Sequence, residues 1–310
     1  MSEPAFVAGD WGTSRLRLYL CDRSGHVLAR GEGEGAAAPD CAGRFAAAVA
    51  PWDSRYGSGA HGKLPTLLGG MVGSTIGWKE VPYLSCPARP EAIAAAALRF
   101  EEDGRAIAIV PGLKCVNRTG APDVMRGEEV QILGALSLHP ELARGRRIFC
   151  MPGTHAKWVV VEEGAVMEFQ TALSGELFEV LRKHSVLAPG GGEVRADSHA
   201  FTQGLDFFRR NAQADLLHLL FSTRSRVVTG EMPKADGASY LSGLVLGADV
   251  DTAVSLLDIS PSDTVHLICT PALAALYDKS LAQYGMKTKT LDGDACALAG
   301  LVRIHTEVFS

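Results

Sequence analysis

The chain is predicted to be an α/β protein of two successive domains. Near its start, Phe6 to Leu20 reads as a strand, a Gly-containing tight turn and a return strand, with Asp10-Trp11-Gly12-Thr13-Ser14 at the bend. About half a chain later the plan recurs: Ile148-Phe149-Cys150-Met151 is an apolar strand, Pro152-Gly153-Thr154-His155 a turn, and Lys157 to Val161 a return strand. After each hairpin, helical and strand-like stretches alternate, the pattern of an α/β domain. At 310 residues the chain is long enough for two separate cores.

Taken in order, Val27-Leu28-Ala29-Arg30 adds a third short strand, and Gly31 to Gly35 links it to an Ala-rich helix over 36–50. Leu64 to Val72 is a buried strand running into Gly69-Gly70-Met71-Val72-Gly73-Ser74. Pro87 to Phe100 reads as a helix, and Ala106 to Val110 as a strand stopped by Pro111-Gly112. Within Glu128 to Leu138 the apolar Val130, Ile132, Leu133, Leu136 and Leu138 fall near helical spacing. Pro140 to Arg147 is a charged, turn-rich connector. It divides the chain into residues 1–142 and 143–310 and is the expected hinge. In the second half, Glu162-Glu163-Gly164 turns the chain into Ala165 to Phe169. A helix over 175–184 turns Leu177, Phe178, Val180 and Leu181 inward, and Pro189 to Gly192 is expected to be a mobile loop. Helical patterns recur at 198–210, 213–222, 238–254, 271–284 and 294–304, with a strand, Thr264 to Cys269, before the fourth of these.

Composition narrows the function. The net charge of −5 and the lack of any basic cluster give no electrostatic reason to expect nucleic acid or an anionic membrane as partner. The longest apolar runs, such as Ala92 to Leu98, are too short to span a bilayer. The first residues enter a strand without a basic region and an apolar signal core. The seven cysteines are scattered and form no C-x-x-C pair, as expected of free thiols in a reducing cytosol, so a cytoplasmic location is expected. Cys and His do not cluster in a way that would hold zinc.

The hairpin turns point to phosphate. Turn backbone N–H groups can cradle phosphate oxygens, and the Thr13 and Ser14 hydroxyls add donors. The Asp10 carboxylate can face a magnesium ion through water. Alone, the first hairpin is equally readable as a plain turn with an incidental Asp; the second copy favours phosphate. Two such hairpins facing each other would clamp a triphosphate from both sides. The arrangement resembles the actin-like ATPase superfamily, which includes sugar kinases, actin and the 70-kDa heat-shock chaperones. It implies a two-domain, ribonuclease H-like fold with an interdomain cleft.

Several strings together resemble one family, the 2-dehydro-3-deoxygalactonokinases. They include Asp10-Trp11-Gly12-Thr13-Ser14, Gly70-Met71-Val72-Gly73-Ser74 with Gly77-Trp78-Lys79, Pro82-Tyr83-Leu84 and Val110-Pro111-Gly112-Leu113. Val124-Met125-Arg126-Gly127-Glu128-Glu129, Met151-Pro152-Gly153-Thr154-His155 with Lys157-Trp158-Val159, and Ser174-Gly175-Glu176-Leu177 follow. Ala200-Phe201-Thr202, Ser242-Gly243-Leu244 with Gly247-Ala248, and Gly293-Asp294 complete the series in the family's order. After the late strand, Cys269-Thr270-Pro271 stands where a Gly and small hydroxyl residues are expected, a departure that bears on the adenosine contacts.

The resemblance implies ATP-dependent phosphorylation of the 6-hydroxyl of 2-dehydro-3-deoxy-D-galactonate, with Mg2+. It places the first phosphate hairpin and the sugar-acid site in residues 1–142, and the second hairpin and the adenosine site in 143–310. The partners implied are the sugar acid and ATP, and a homodimer is compatible with them. The alternatives are a kinase for another sugar acid, such as 2-keto-3-deoxygluconate, and a non-catalytic ATP- or sugar-binding actin-like protein.

Phosphoryl transfer needs aligned oxygens, charge neutralisation and a proton acceptor. Related carbohydrate kinases carry their base in a Gly-Asp at a helix start, and Gly127-Glu128 stands in that place, so Glu128 is the expected base, with Asp10 and Glu176 as rivals. A helix N-terminus would keep Glu128 ionised; its other reading, with Glu129, is simple complementation of the helix dipole. Arg126 is the first choice for the substrate carboxylate, because a guanidinium grips both oxygens. Arg15 and Lys79 are alternatives, and Ser74 and Trp78 are further substrate candidates. Gly12, Thr13, Ser14, Gly153, Thr154, His155, Lys157, Gly243 and Thr270 are the expected ATP contacts, and Asp10 the magnesium ligand. For Lys157 a solvated surface position, for His155 a structural turn role, and for Gly243 tight helix packing are the competing readings.

Overall fold

The computed structural model describes residues 3–56, 62–190 and 192–309. Packing divides the chain into two compact units. The first holds the chain up to Arg146, together with Val161–Glu168 and the segment from Asp292 onward. The second holds Arg147–Val160 and Phe169–Leu291. The closing segment thus packs with the first unit, whereas the sequence division keeps everything after residue 142 together.

In the first unit, β1 (Pro4–Trp11), β2 (Arg15–Asp22) and β3 (Val27–Glu34) form an antiparallel meander. β4 (Thr66–Gly70) runs parallel to β1 and sets Gly69 beside Asp10. After the short β5 (Leu84–Ser85), β6 (Leu98–Glu102) and β7 (Arg105–Ile109) complete a sheet of order β3-β2-β1-β4-β7-β6. β8 (Leu113–Val116) and β9 (Pro122–Met125) join β5 in a small second sheet. The helices are α1 (Cys41–Tyr56), α2 (Pro90–Ala95) and α3 (Glu128–Leu138). Successive strand side chains point to opposite faces. Val7 and Trp11 of β1, and Leu16, Leu18 and Leu20 of β2, therefore share a core with Phe45 and Val49 of α1.

The second unit holds most of a five-stranded sheet of β10 (Arg146–Met151), β11 (Ala156–Glu162), β12 (Ala165–Ala172), β13 (Thr264–Ile268) and β14 (Lys287–Leu291), in the order β12-β11-β10-β13-β14, of which Arg146 and the Val161–Glu168 ends of β11 and β12 are counted with the first unit. β13 runs parallel to both β10 and β14. Its helices are α4 (Ser174–His184), α5 (His199–Arg210), α6 (Leu216–Leu220), α7 (Ser222–Val228), α8 (Gly237–Leu256) and α9 (Pro271–Ala282). The last helix, α10 (Gly293–Val308), packs on α3 of the first unit. The two cross in backbone contact, since a Cβ on Gly134 would lie 1.7 Å from the Cys296 carbonyl oxygen.

Some sequence expectations need correction. Leu98 to Phe100 does not extend a helix. Leu98 and Phe100 are partly buried while Arg99 and Glu101 are exposed, a period of two that pairs β6 with β7. The 213–222 helix is two short helices meeting at Phe221. Val180 of α4 is exposed and takes no part in the packed core. The loop expected over 189–192 includes Gly191, which lies outside the described residues.

Candidate active site

In the first unit, the pairing of β1 with β2 places Arg17 opposite Asp10. Arg17 Nη1 donates to Asp10 Oδ2 at 2.9 Å, and its Nη2 lies 3.6 Å from Asp294 Oδ1 at the start of α10. Burial pushes the Asp10 carboxyl above its ordinary value, and the Arg17 charge and hydrogen bond oppose that shift. The turn that follows leaves the Thr13 and Ser14 side chains exposed, while the Gly12 N–H donates to the Arg15 carbonyl at 2.9 Å. Its far side is packed against β3's exit: a Cβ on Gly35 would lie 2.1 Å from the Thr13 carbonyl oxygen. Gly70 (φ +88°) and Gly127 (φ +108°) border a small void with Asp10. Both hold positive-φ backbone that a Cβ disfavours, and this lets the two loops approach the carboxylate.

Glu128 opens α3, and its Oε2 accepts the Arg126 N–H at 3.0 Å. Glu129 is fully buried and both its oxygens accept the Gly127 N–H, at 3.0 and 2.8 Å. Burial, reinforced by the neighbouring Glu128 charge, pushes the Glu129 carboxyl up to about 8. The adjacent carboxylates, alike in the sequence, thus sit in different surroundings. Arg126 Nη2 donates to the Val81 carbonyl at 2.8 Å, and the guanidinium lies 4.4 Å from the Tyr83 ring centre. Its Nε and Nη1 are buried with no hydrogen-bond partner among the described residues. The loop that carries Ser74, whose hydroxyl donates to the Met71 carbonyl at 2.7 Å, presses Gly73 against this guanidinium.

Three expected substrate residues are not gathered there. Trp78 belongs to an aromatic cluster, with ring centres 5.5 Å from both Phe45 and Phe100 and 6.3 Å from Trp11. Its partly buried ring packs against the core and also lines a surface pocket with Ile76 and Gly77. The Lys79 ammonium lies over the Phe100 ring at 4.6 Å, on the sheet's edge strand. Arg15 pairs with Glu32 of β3 at 2.6 Å and is exposed.

In the second unit the turn at 152–155 is braced by the start of α4. A Cβ on Gly175 would lie 2.1 Å from the Gly153 carbonyl oxygen, and the Glu176 N–H donates to the Thr154 carbonyl at 2.8 Å. The Gly153, Thr154 and His155 side of the turn is exposed. His155 Nε2 lies 2.5 Å from Glu176 Oε2, so the rival base Glu176 is engaged with the turn histidine. Lys157 is not a surface residue: it is buried, and its Nζ donates to Thr171 Oγ1 at 2.8 Å.

From this turn a cavity of about 660 Å³ runs between α4, α8 and α9. Phe178, Val180, Leu246, Leu273 and Leu276 give it apolar walls. Ser174 and Tyr277 also line it, and beneath them the buried Asp249 accepts from Tyr277 Oη at 2.7 Å and Trp158 Nε1 at 2.9 Å. Burial pushes the Asp249 carboxyl up, against the pull of those donors. Two expected ATP contacts need revision. Gly243 does not face the cavity; a Cβ there would lie 2.3 Å from the Phe201 carbonyl oxygen, so its smallness serves the α5–α8 crossing, while its neighbour Ser242 lines the cavity. Thr270 caps α9 ahead of Pro271, and the wall is reached three residues later, at Leu273.

The arrangement offers an acid beside a phosphate-type turn, a second such turn at the mouth of an apolar cavity, and an unpaired guanidinium beside a carboxylate. Among the described residues no group of three or more His, Cys, Asp or Glu could hold a metal alone. A single carboxylate suits magnesium, which keeps several waters and travels on nucleotide phosphates.

Comparison with known proteins agrees with this chemistry. The family model described as 2-keto-3-deoxy-galactonokinase matches residues 10–304. A probable 2-dehydro-3-deoxygalactonokinase of Rhizobium meliloti is 36% identical over 96% of this chain and 95% of its own. The 2-dehydro-3-deoxygalactonokinase of Escherichia coli is 33% identical over 96% of each chain. A crystal structure of a candidate 2-dehydro-3-deoxygalactonokinase from Sinorhizobium meliloti superposes with a TM-score of 0.87, at 33% identity, covering 98% of this chain and 99% of that one. Each unit places three meander strands beside two parallel ones, the order of the actin-like ATPase fold, with β6 added at one edge. The chain therefore belongs to the 2-keto-3-deoxy-galactonokinase family of actin-like sugar-acid kinases.

Proposed function

We propose that the protein transfers the γ-phosphoryl group of ATP to the 6-hydroxyl of 2-dehydro-3-deoxy-D-galactonate, giving the 6-phosphate and ADP. The observation that carries this is Arg126, whose guanidinium has two buried nitrogens without a hydrogen-bond partner and whose backbone N–H donates to the Glu128 carboxylate. An uncompensated cation beside a carboxylate fits an acceptor that is itself an anion and must lose a proton. Arg126 would bind the sugar-acid carboxylate, and Glu128 would take the hydroxyl proton. As the hydroxyl oxygen bonds to the γ-phosphorus, the bond to the β–γ bridging oxygen breaks and its electron pair leaves with ADP.

Asp10 would hold Mg2+ through water, and Arg17 would keep that carboxylate oriented. When bound, the ion neutralises phosphate charge. Gly12, Thr13 and Ser14 would donate to the phosphates from the first unit, and Gly153 and Thr154 from the second. The apolar cavity would take the adenosine; its volume and lining are those of a small-molecule site. Lys157 and His155 would act by holding β12 and α4 beside that turn.

Phosphorus NMR of the product from ATP, Mg2+ and 2-dehydro-3-deoxygalactonate tests the reading. A phosphomonoester coupled to the two C6 protons is expected. A phosphate on another oxygen, or free phosphate alone, would refute it.

A further inference from the structure

The Pro82-Tyr83-Leu84 and Val110-Pro111-Gly112-Leu113 segments have no part in the reaction as described so far. In the fold they meet at Arg126. The Tyr83 ring stacks on the Arg126 guanidinium, with Cζ 4.4 Å from the ring centre. The ring is also packed against backbone: a Cβ on Gly112 would lie 2.7 Å from Tyr83 Cε1 and 2.5 Å from the Met125 carbonyl oxygen, so only a glycine there leaves room for the ring. The Leu84 N–H donates to the Gly112 carbonyl at 2.9 Å and ties the two segments together. On the guanidinium's remaining sides stand the Val81 carbonyl, 2.8 Å from Nη2, and Gly73, where a Cβ would lie 2.8 Å from Nη1.

No carboxylate forms an ion pair with Arg126 among the described residues, although its charge acts on the buried Glu129. Its direct contacts are a ring face, a carbonyl and a glycine. A ring face orients a guanidinium without cancelling its charge. The ring and the Val81 carbonyl therefore hold the planar group while Nε and Nη1 keep unused donor capacity.

Resting on the reading of Arg126 as the carboxylate receptor, we propose that Tyr83 is a positioning residue, whose ring, clamped by Gly112, aims the Arg126 guanidinium at the substrate carboxylate. It acts through Arg126 and selects acids over neutral sugars of the same shape. A cation–π contact contributes about 1–2 kcal/mol when desolvated, and 1.4 kcal/mol corresponds to tenfold in binding.

The test is two-substrate kinetics on Tyr83→Phe, Tyr83→Leu and Arg126→Ala, with thermal melting of each; Tyr83→Met replaces the Leu variant should that one not fold. Tyr83→Leu should raise the KM for the sugar acid about tenfold and leave the KM for ATP within about twofold, while Tyr83→Phe, which keeps the ring face, stays near wild type. With the substrate's carboxamide analogue, wild type and Tyr83→Leu should differ little. An unchanged sugar-acid KM in Tyr83→Leu, or equal rises for both substrates, would overturn the role of Tyr83. An unchanged sugar-acid KM in Arg126→Ala would instead overturn the reading of Arg126, so the two failures are distinguishable.

Discussion

The two hairpins share a plan and differ in what stands behind them. Each turn carries Gly-Thr, and each is backed by a glycine so close that a Cβ would lie 2.1 Å from a turn carbonyl: Gly35 behind Thr13, Gly175 behind Gly153. Two residues before the Gly-Thr pair, however, the first hairpin has Asp10 and the second has Met151. The first turn adjoins charge, in the chain Asp10–Arg17–Asp294, and Asp10 borders a void with Gly127, which lies between Arg126 and Glu128 in the sequence. The second adjoins an apolar cavity. Under the proposed function, turn geometry would serve phosphate contact in both units. The wall behind each turn would then give the chemistry to the first unit and nucleotide affinity to the second.

That division can be broken by substitution. The largest effects belong to the first unit. Glu128→Gln and Asp10→Asn should each lower turnover by about two orders of magnitude or more, with ATP affinity nearly intact. Near-normal turnover in Glu128→Gln, measured by steady-state kinetics, would remove it as the base.

Next comes Glu129, whose carboxyl is raised from 4.5 to about 8 by burial and by Glu128. A folded-state value above the unfolded one means that the native chain keeps a proton the unfolded chain loses. Stability therefore declines as pH rises from about 4.5 to about 8, at up to about 1.4 kcal/mol per pH unit, and levels off above. Glu129→Gln should flatten that decline. Denaturant melts at pH 5.5, 7 and 9 would show it, and parallel pH profiles for the two proteins would contradict it.

Smaller still, Gly243→Ala should cost about 1–3 kcal/mol by overpacking the α5–α8 crossing while leaving the KM for ATP within about twofold. A weakened KM without a stability loss would return Gly243 to the nucleotide site. Leu273→Trp, which narrows the cavity, should raise the KM for ATP about tenfold without moving the sugar-acid KM. A rise in the sugar-acid KM instead would reverse the assignment of the two units.

Much of this was legible in the chain. Both hairpins, α3 and the late strand β13 follow from apolar periodicity and Gly-Thr turns, because local pattern and tertiary burial agree there. The β6 strand was hidden because Leu98 and Phe100 follow an Ala-rich helix with too few residues to show a change of period. β8 and β9 are four residues each, below the length at which alternation can be read. Among the proposed site residues, Asp10, Glu128 and Arg126 stood out because carboxylates and guanidinium flank glycines. Arg17 left a signal that went unused: in a hairpin whose Trp11 pairs with Leu16, Asp10 must face Arg17. Tyr83 stood in one of the family strings without a role attached, and the cavity walls left no signal. Phe178, Leu273 and Leu276 look like ordinary helix core, and which apolar residues border a void depends on packing between helices distant in sequence.

The most direct test is a coupled ADP-release assay with ATP, Mg2+ and a panel of sugar acids containing both 2-dehydro-3-deoxygalactonate and its gluconate epimer. Rapid ADP release with the galactonate acid, and little with its epimer or with neutral sugars, is the predicted result. Release that is absent with every acid, or equal with neutral sugars, would contradict a site built around an unpaired arginine.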